Sequence, residues 1–195
     1  MHTRIVIILL GCCAIAHAGT FTDKATNLHF PDQIGEWKKT MVNQFPDRKF
    51  GVEINYKSRG DAIASLIVYS AGISKIPTGA ENIVVQAQFA ADVRGSMAVV
   101  QNRFKDVSRV LDSKPDVNYH GKRATLLVTA FQFSGDKKWL QFLLMTGYKN
   151  RFLKLIYTQP FNNPKTDIPE GQKKLRDLIV AWLDKNDENR DAFWQ

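Results

Sequence analysis

Residues 123–158 have the sequence RATLLVTAFQFSGDKKWLQFLLMTGYKNRFLKLIYT, and this stretch decides the fold. Two turn signals, Gly135-Asp136-Lys137 and Lys149-Asn150, divide it into three apolar runs. Each run has apolar residues at both odd and even positions, whereas a sheet with one face in water alternates apolar with polar residues. The stretch therefore predicts three consecutive antiparallel strands that are covered on both faces, at 123–134, 139–148 and 151–158.

Shorter strands are expected upstream of this meander. Residues 51–57 alternate apolar and polar side chains, which is typical of a half-buried strand. The turn Ser58-Arg59-Gly60-Asp61 then leads into a returning strand at 62–70. Two further strands are predicted at 37–45 and 107–112, a loop at 71–79 and a turn at 116–122.

Two stretches have the period of an amphipathic helix. Between 80 and 103, apolar residues recur at steps of three and four. They predict one buried helix face, formed by Ile83, Ala87, Ala90, Val93, Met97, Val100 and Phe104. The second helix is predicted to follow a proline-containing loop, to begin at Asp167 with Glu170 as capping-box partner, and to end near Lys185. Its expected buried residues are Leu175, Leu178, Ile179 and Trp182.

Two helices and a sheet that needs cover on both faces predict an α+β fold. We expect a three-layer α/β/α sandwich, with a central, mostly antiparallel sheet of about six strands and one main helix on each face. The alternative is a two-layer α+β fold whose curved sheet encloses a cavity. A single domain is predicted at 34–186, after a flexible N-terminal segment at 19–33 and before a polar tail at 187–195. Phe193 and Trp194 in that tail either pack back onto the domain or dock to a partner.

Residues 1–18 are typical of a secretory signal peptide. Arg4 precedes an apolar run at 5–16, and the small residues of Ala16-His17-Ala18 predict cleavage between Ala18 and Gly19. The run is shorter than the roughly 20 residues that a membrane span requires. We therefore predict an exported, periplasmic or secreted protein with no transmembrane segment in the mature chain.

The alternative is that the leader is processed at Cys12 and that the protein carries a lipid anchor there. Leu9-Leu10-Gly11-Cys12 resembles a bacterial lipobox, and acylation of Cys12 would tether the domain to a membrane. Cys12 and Cys13 are the two cysteines of the chain, so a chain cleaved after Ala18 has no disulfide and no thiolate nucleophile.

The sequence motifs predict no catalytic residues, no metal site and no cofactor. The chain has no Gly-x-Ser-x-Gly motif, no His-x-x-x-His pair and no phosphate-binding or dinucleotide-binding glycine motif. Downstream of the leader the histidines are His29 and His120. We predict that the protein is not an enzyme, and the alternative is a hydrolase with an unrecognised site that uses His120.

The element order resembles a known fold family. The residues that carry the resemblance are Gly51-x-x-x-x-Tyr56, Ile67-Val68-Tyr69 and Ala71-Gly72, followed by the helix and the late meander. Together they resemble the PsbP-like fold over about residues 30–185, a fold shared by an extrinsic protein of photosystem II and by many secreted bacterial domains. The resemblance implies a binding or assembly role without catalysis, and it transfers no functional residue to this chain.

Positive charge is the remaining distributed feature, with 27 basic against 19 acidic residues and a net charge of +8. Lys137 and Lys138 at one turn of the meander, and Lys149 and Arg151 at the next, are the predicted partner-binding residues. Consecutive turns of a meander lie at opposite ends of a sheet, so the two pairs need not form one patch. The expected partner is an envelope protein or an anionic envelope component, and not a nucleic acid.

The leading functional hypothesis is thus an exported, non-catalytic periplasmic binding or accessory protein. A second hypothesis is a carrier of an apolar small molecule between the sheet and a helix. The residues that would line the carrier cavity are Phe131, Phe133, Phe142 and Met145.

Overall fold

The computed structural model describes residues 19–59, 61–119 and 122–186. These residues form twelve strands and two helices. In chain order they are β1 (Phe21–Asp23), β2 (Leu28–Phe30), β3 (Gln33–Ile34), β4 (Trp37–Gln44), β5 (Val52–Lys57), β6 (Ile63–Tyr69), α1 (Ile83–Gln101), β7 (Lys105–Ser113), β8 (Asp116–Tyr119), β9 (Lys122–Thr125), β10 (Leu127–Ser134), β11 (Lys138–Tyr148), β12 (Arg151–Pro160) and α2 (Pro164–Leu183). Eight strands pair in the order β3-β4-β5-β6-β12-β11-β10-β7, and two separate hairpins are formed by β1-β2 and β8-β9.

The predicted three-layer sandwich with about six strands is wrong. The described chain is mostly β, with 44% strand against 24% helix, and its main sheet is antiparallel with eight strands. Eight strands at a spacing of about 4.8 Å make a sheet about 34 Å wide. A helix with its side chains is about 10–12 Å in diameter. One helix therefore covers only part of a sheet face here and does not form a layer.

The meander β10-β11-β12 forms the centre of the sheet, as the sequence predicts. β11 pairs along its length with β10 on one side and β12 on the other, and Phe142 lies between Ala130 and Tyr157. Alternate residues of β11 join different apolar clusters: Phe142 packs in the cluster that contains α2, and Leu143 packs under α1. Both faces of this strand are buried.

The structure departs from regular strand pairing at two places. The strand expected at 123–134 is interrupted at Leu126, so its first part, β9, pairs with β8 and not with the main sheet. At the far edge of the sheet, β7 pairs with β10 through two register shifts, after Ala130 and after Gln132. The predicted strands at 37–45, 51–57 and 62–70 are confirmed as β4, β5 and β6.

The segment 19–33, which the sequence predicts to be flexible, contains β1, β2 and the first residue of β3. Leu28 and Phe30 in β2 are fully buried, and the Phe30 ring lies 5.6 Å from the Trp182 ring, centroid to centroid. The Trp182 indole nitrogen also donates a hydrogen bond of 3.1 Å to the carbonyl of His29. This hairpin is anchored on α2, and its strands are too short to show a periodic sequence pattern.

The predicted buried face of α1 is confirmed in the second half of the helix, where Val93 and Val100 are buried and Met97 packs on the core, and is wrong in the first half. Val85, Val93 and Val100 are the buried residues of the helix, whereas Ile83 is 74% exposed. Apolar and small residues occur around the whole circumference of α1, so two phases of the three- and four-residue repeat compete. In the first half of the helix, Val85 is the residue that packs on the aromatic and aliphatic residues of the sheet.

Helix α2 begins earlier than predicted. Its N-cap is Asn163, whose side chain accepts a hydrogen bond from the Lys165 amide, and Pro164 occupies the first helical position, which proline tolerates. Asp167 lies in the first turn of the helix, and its carboxylate accepts hydrogen bonds from the backbone amides of Asn162 and Asn163. The expected buried face of α2, namely Leu175, Leu178, Ile179 and Trp182, is confirmed.

Two helical glycines give a matched test of the packing. A Cβ at Gly171 would lie 2.3 Å from the Phe142 ring, whereas a Cβ at Gly95 would meet nothing within 4 Å. We expect Gly171→Ala to lower the free energy of unfolding by about 1–3 kcal/mol through overpacking. Gly95→Ala should raise it by about 0.5–1 kcal/mol, because alanine is the better helix former. Urea unfolding measures both changes, and equal effects of the two substitutions would contradict the packing of α2 on β11.

Asp167 should make the stability of α2 depend on pH. The amides of Asn162 and then Asn163 hold the pKa of the Asp167 carboxyl below its ordinary value. The ionised Asp167 carboxylate therefore stabilises the folded state fully above the unfolded-state pKa of about 3.9. This stabilisation is lost as the pH falls through the lower folded-state pKa. Asp167→Ala should lower the free energy of unfolding by about 1 kcal/mol at pH 7 and by less at pH 3. Denaturant unfolding at both pH values measures this, and a loss of the same size at both would contradict the assigned cause.

Candidate functional site

Helix α1 divides one face of the main sheet into two parts. It packs chiefly on β7, β10 and β11, and no described helix packs on β4 and β5 from this side. We call the second part the open face. Its residues, placed on one side by the strand register, are Asn43, Glu53, Asn55, Lys57, Ile63, Ser65 and Ile156.

The floor of the open face is a row of buried polar side chains. Asn43 pairs with Glu53 across β4 and β5, and Asn55 pairs with Ser65 across β5 and β6. The exposed fractions of these residues are 2%, 9%, 6% and 4%, respectively. Buried polar groups are normally hydrogen-bonded, so each of these four side chains is expected to have hydrogen-bond partners.

The hydrogen bonds of this floor are incomplete. The Ser65 hydroxyl donates to the Asn55 side-chain oxygen. The Asn43 amide Nδ2 donates to Glu53 Oε2 at 3.5 Å, the long limit for a hydrogen bond, and the buried Asn43 Oδ1 accepts none from the described residues. No ion pair to Glu53 is found among the described residues. The row thus holds one buried acceptor, Asn43 Oδ1, without a hydrogen bond from the described residues, which is costly to the stability of the fold.

Two lysines stand at one border of the open face. Lys38 and Lys57 lie directly opposite each other on β4 and β5, and both are exposed. Like charges in this position repel each other. An anionic group placed between the two ammonium groups would relieve that repulsion.

An ion pair forms the border between the open face and α1. Lys154 Nζ lies 2.7 Å from Asp92 Oδ2, and the two side chains are only 16% and 13% exposed. The Tyr69 hydroxyl donates to the same Asp92 oxygen at 2.6 Å, and Gln88 Nε2 donates to the other oxygen at 2.8 Å. Burial, and then the Asp92 carboxylate, raise the pKa of Tyr69 well above its ordinary value, so Tyr69 stays a neutral donor.

The four predicted basic residues do not form one patch. Lys137 and Lys138 lie at one end of β11, and Lys149 and Arg151 lie at the other. Eleven residues in β11 separate the ends by about 33 Å at about 3.3 Å per residue. Consecutive turns of the meander thus lie at opposite ends of the sheet, as the sequence predicts.

Three of these basic side chains contact groups of the protein itself. Lys137 pairs with the Asp61 carboxylate and lies 4.6 Å from the Trp139 ring centroid. Lys149 Nζ donates to the carbonyl of Asn186 at 3.0 Å, just after α2, and Arg151 Nη1 donates to the carbonyl of Asn150 at 2.8 Å. Lys138 is exposed and borders a cavity.

The residues predicted to line a carrier cavity lie in separate clusters. Phe142 packs in the α2 cluster, whereas Phe131, Phe133 and Met145 lie on the opposite face of the sheet in three different clusters. A cavity of about 210 Å³ opens near the start of β7, and it includes Phe133 alone of these four. Its lining residues are Asp106, Gln132, Phe133, Ser134, Lys138 and Phe161.

Several sequence-predicted positions lie outside the described residues: Ala18, Cys12, His120, and Phe193 with Trp194. His29 is described, and its Nδ1 lies 2.9 Å from the Thr22 hydroxyl in the β1-β2 hairpin. In the described part of the chain, no group of three or more His, Cys, Asp or Glu side chains is placed to hold a metal ion. Within the same ranges, neither helix has the length and apolar character needed to cross a membrane.

Sequence reasoning did not single out the polar row. The alternation over 51–57 places Glu53 and Asn55 on the polar side of a strand, which normally faces water. A signal that could have indicated the site is the polar side chain at Ser65, inside an otherwise apolar strand. It places a hydroxyl opposite Asn55 only once the pairing of β5 with β6 is known.

Comparisons with known proteins add little to this geometry. No family model and no curated protein matches the chain. A solved structure of a protein of unknown function from Pseudomonas aeruginosa is similar to it, with 14% sequence identity over 82% of this chain and 94% of that chain. The TM-score is 0.34, which is too low to carry an argument. The resemblance to the PsbP-like fold stays a prediction.

The Asp92–Lys154 pair should stabilise the border of the open face. We expect Asp92→Asn to lower the free energy of unfolding by about 2 kcal/mol, because it leaves a largely buried ammonium without its carboxylate. Asp92→Asn combined with Lys154→Met should recover part of the loss. The control is Asp177→Asn: the Lys173–Asp177 pair has the same 2.7 Å separation but is 67% and 52% exposed. Its loss should not exceed about 0.5 kcal/mol, and equal losses in denaturant unfolding would contradict the role of burial.

Proposed function

We propose that this chain is an exported, non-catalytic binding or accessory protein that docks an envelope partner on its open face. The leader at 1–18 supports export, and the PsbP-like resemblance supports a binding role. The observation that carries the proposal is the pair of exposed lysines, Lys38 and Lys57, which lie directly opposite each other on β4 and β5 at the border of the open face. Like charges in this position are destabilising in the free protein, and a partner that places an acidic group between the two ammonium groups relieves the repulsion.

The surroundings of the polar row suit a protein surface as partner. Ile63 and Ile156 are half-buried and lie beside the row on the same side of the sheet. Apolar contacts around a few polar groups are the usual composition of a binding interface. The partner would contact these two isoleucine side chains.

Charge complementarity adds a second requirement for the partner. Lys38 and Lys57 at the border of the open face would attract an acidic group. The proposed partner is therefore an envelope protein, or another anionic envelope component, that presents an acidic group to the two lysines.

Site-specific crosslinking in intact cells tests the open face. A photoreactive amino acid replaces Ile63 or Ile156, and the same group at Val99, on the solvent side of α1 and 43% exposed, is the control. We expect the two open-face positions, and not Val99, to form a defined adduct that mass spectrometry identifies. Adducts from Val99 alone, or no adduct from either open-face position, would overturn the proposed docking site.

Charge reversal then tests the border lysines. Lys38→Glu with Lys57→Glu should lower the yield of that adduct by about tenfold, equivalent to about 1.4 kcal/mol of binding free energy. Lys173→Glu with Lys174→Glu on α2 is the matched control and should leave the yield unchanged. An equal reduction by both double substitutions would indicate a nonspecific effect of net charge.

A further inference from the structure

Two side chains hold both backbone groups of Gly19, the first described residue. The Gly19 nitrogen donates to Asp32 Oδ2 at 2.5 Å, and its carbonyl accepts from Lys39 Nζ at 2.5 Å. Lys39 Nζ also lies 2.7 Å from Asp32 Oδ1. The two carboxylate oxygens of Asp32 thus have different partners: Oδ1 pairs with the Lys39 ammonium, and Oδ2 accepts a hydrogen bond from the Gly19 nitrogen.

Lys39 is unusually buried for a residue that contacts the start of the described chain. Its side chain is 3% exposed, and its ammonium also faces the carbonyl of Phe30 at 3.4 Å. A buried ammonium is costly unless acceptors surround it. The backbone amide of Lys39 donates to the carbonyl of Asp32 at 2.7 Å, which keeps the two residues together. The contacts of Gly19 are therefore part of an ordered site, built from β4 and from the residues between β2 and β3.

We propose that this site receives the free α-ammonium group of Gly19 after a signal peptidase hydrolyses the Ala18–Gly19 bond. Water is added across the peptide bond, so Ala18 leaves with a carboxylate and Gly19 keeps an amino group. That group is protonated near neutral pH, because an ordinary α-amino pKa is about 7.7–8.0. The uncleaved amide offers Asp32 one neutral N–H, and the ammonium offers a stronger, charge-assisted hydrogen bond. This inference rests on the export part of the proposed function.

The charges around the new terminus favour this role for Asp32. The charged groups that contact it are Asp32 and Lys39. The Tyr56 hydroxyl is near Asp32 and donates to the carbonyl of Pro31 at 3.1 Å. Lys39 opposes a second positive charge, and the Asp32 carboxylate offsets it. The hydrogen bond from Lys39 holds the pKa of Asp32 below its ordinary value, so Asp32 stays ionised when the ammonium arrives.

The first measurement is the N-terminus of the exported full-length chain. The 195-residue precursor is expressed with its own leader in a Gram-negative host, and the intact mass of the recovered protein identifies the first residue. We expect Gly19. A retained leader or an acylated Cys12 would overturn both the inference and the predicted cleavage, while leaving the open face testable by crosslinking.

The second measurement is the pKa of the α-amino group in the processed protein, followed by NMR after 13C-methylation of the amines. We expect Asp32→Asn to lower this pKa by about 0.5–1 unit, because a carboxylate beside an ammonium favours its charged form. Asp47→Asn is the matched control: the Asp47–Lys49 pair is 2.8 Å long and Asp47 is 49% exposed, against 50% for Asp32. Equal α-amino pKa values in the wild type and Asp32→Asn would overturn the ammonium site without affecting export.

A third variant decides the question if Asp32→Asn does not fold. One alanine inserted before Gly19 moves the ammonium by about 3.8 Å and leaves Asp32 and Lys39 intact. When its intact mass confirms the extra residue, this protein should have a melting temperature about 2–4 °C lower than the wild type. An unchanged melting temperature would contradict the proposed ammonium site.

Discussion

The burial of both faces of β11 is the constraint on which the rest of the structure depends. Phe142 and Leu144 face the α2 cluster, and Leu143 and Met145 face α1. A slip of one residue in the pairing with β10 or β12 would exchange these two sets between faces. The register of the meander therefore assigns each helix to its face, and among the described residues neither helix packs on β4 and β5 from the α1 side.

The elements with a strong period could be predicted from the sequence, and those without one could not. The meander and the buried face of α2 follow directly from the spacing of their apolar residues. In the first half of α1 the buried face does not follow, because Ile83 and Val85 are both apolar and only packing on the sheet distinguishes them. The hairpin around Leu28 and Phe30 is also missed, since three-residue strands carry no periodic signal.

The candidate site was beyond sequence reasoning because long-range pairing creates it. Glu53 and Asn55 are polar residues at the expected solvent positions of a strand, and their burial comes from the neighbouring β4 and β6. The divergence of the basic turns was predictable from the meander. The contact of Lys137 with Asp61 was not, because 76 residues separate the two in sequence.

The two register shifts of β7 also affect how the protein behaves at high concentration. An exposed strand at the rim of a sheet offers unpaired N–H and C=O groups to a neighbouring chain and can start amyloid-like stacking. Bulges twist such a rim, and charged side chains such as Lys105, Asp106 and Arg109 oppose a flat approach by a second molecule. At this rim the geometry of β7 itself discourages edge-to-edge aggregation.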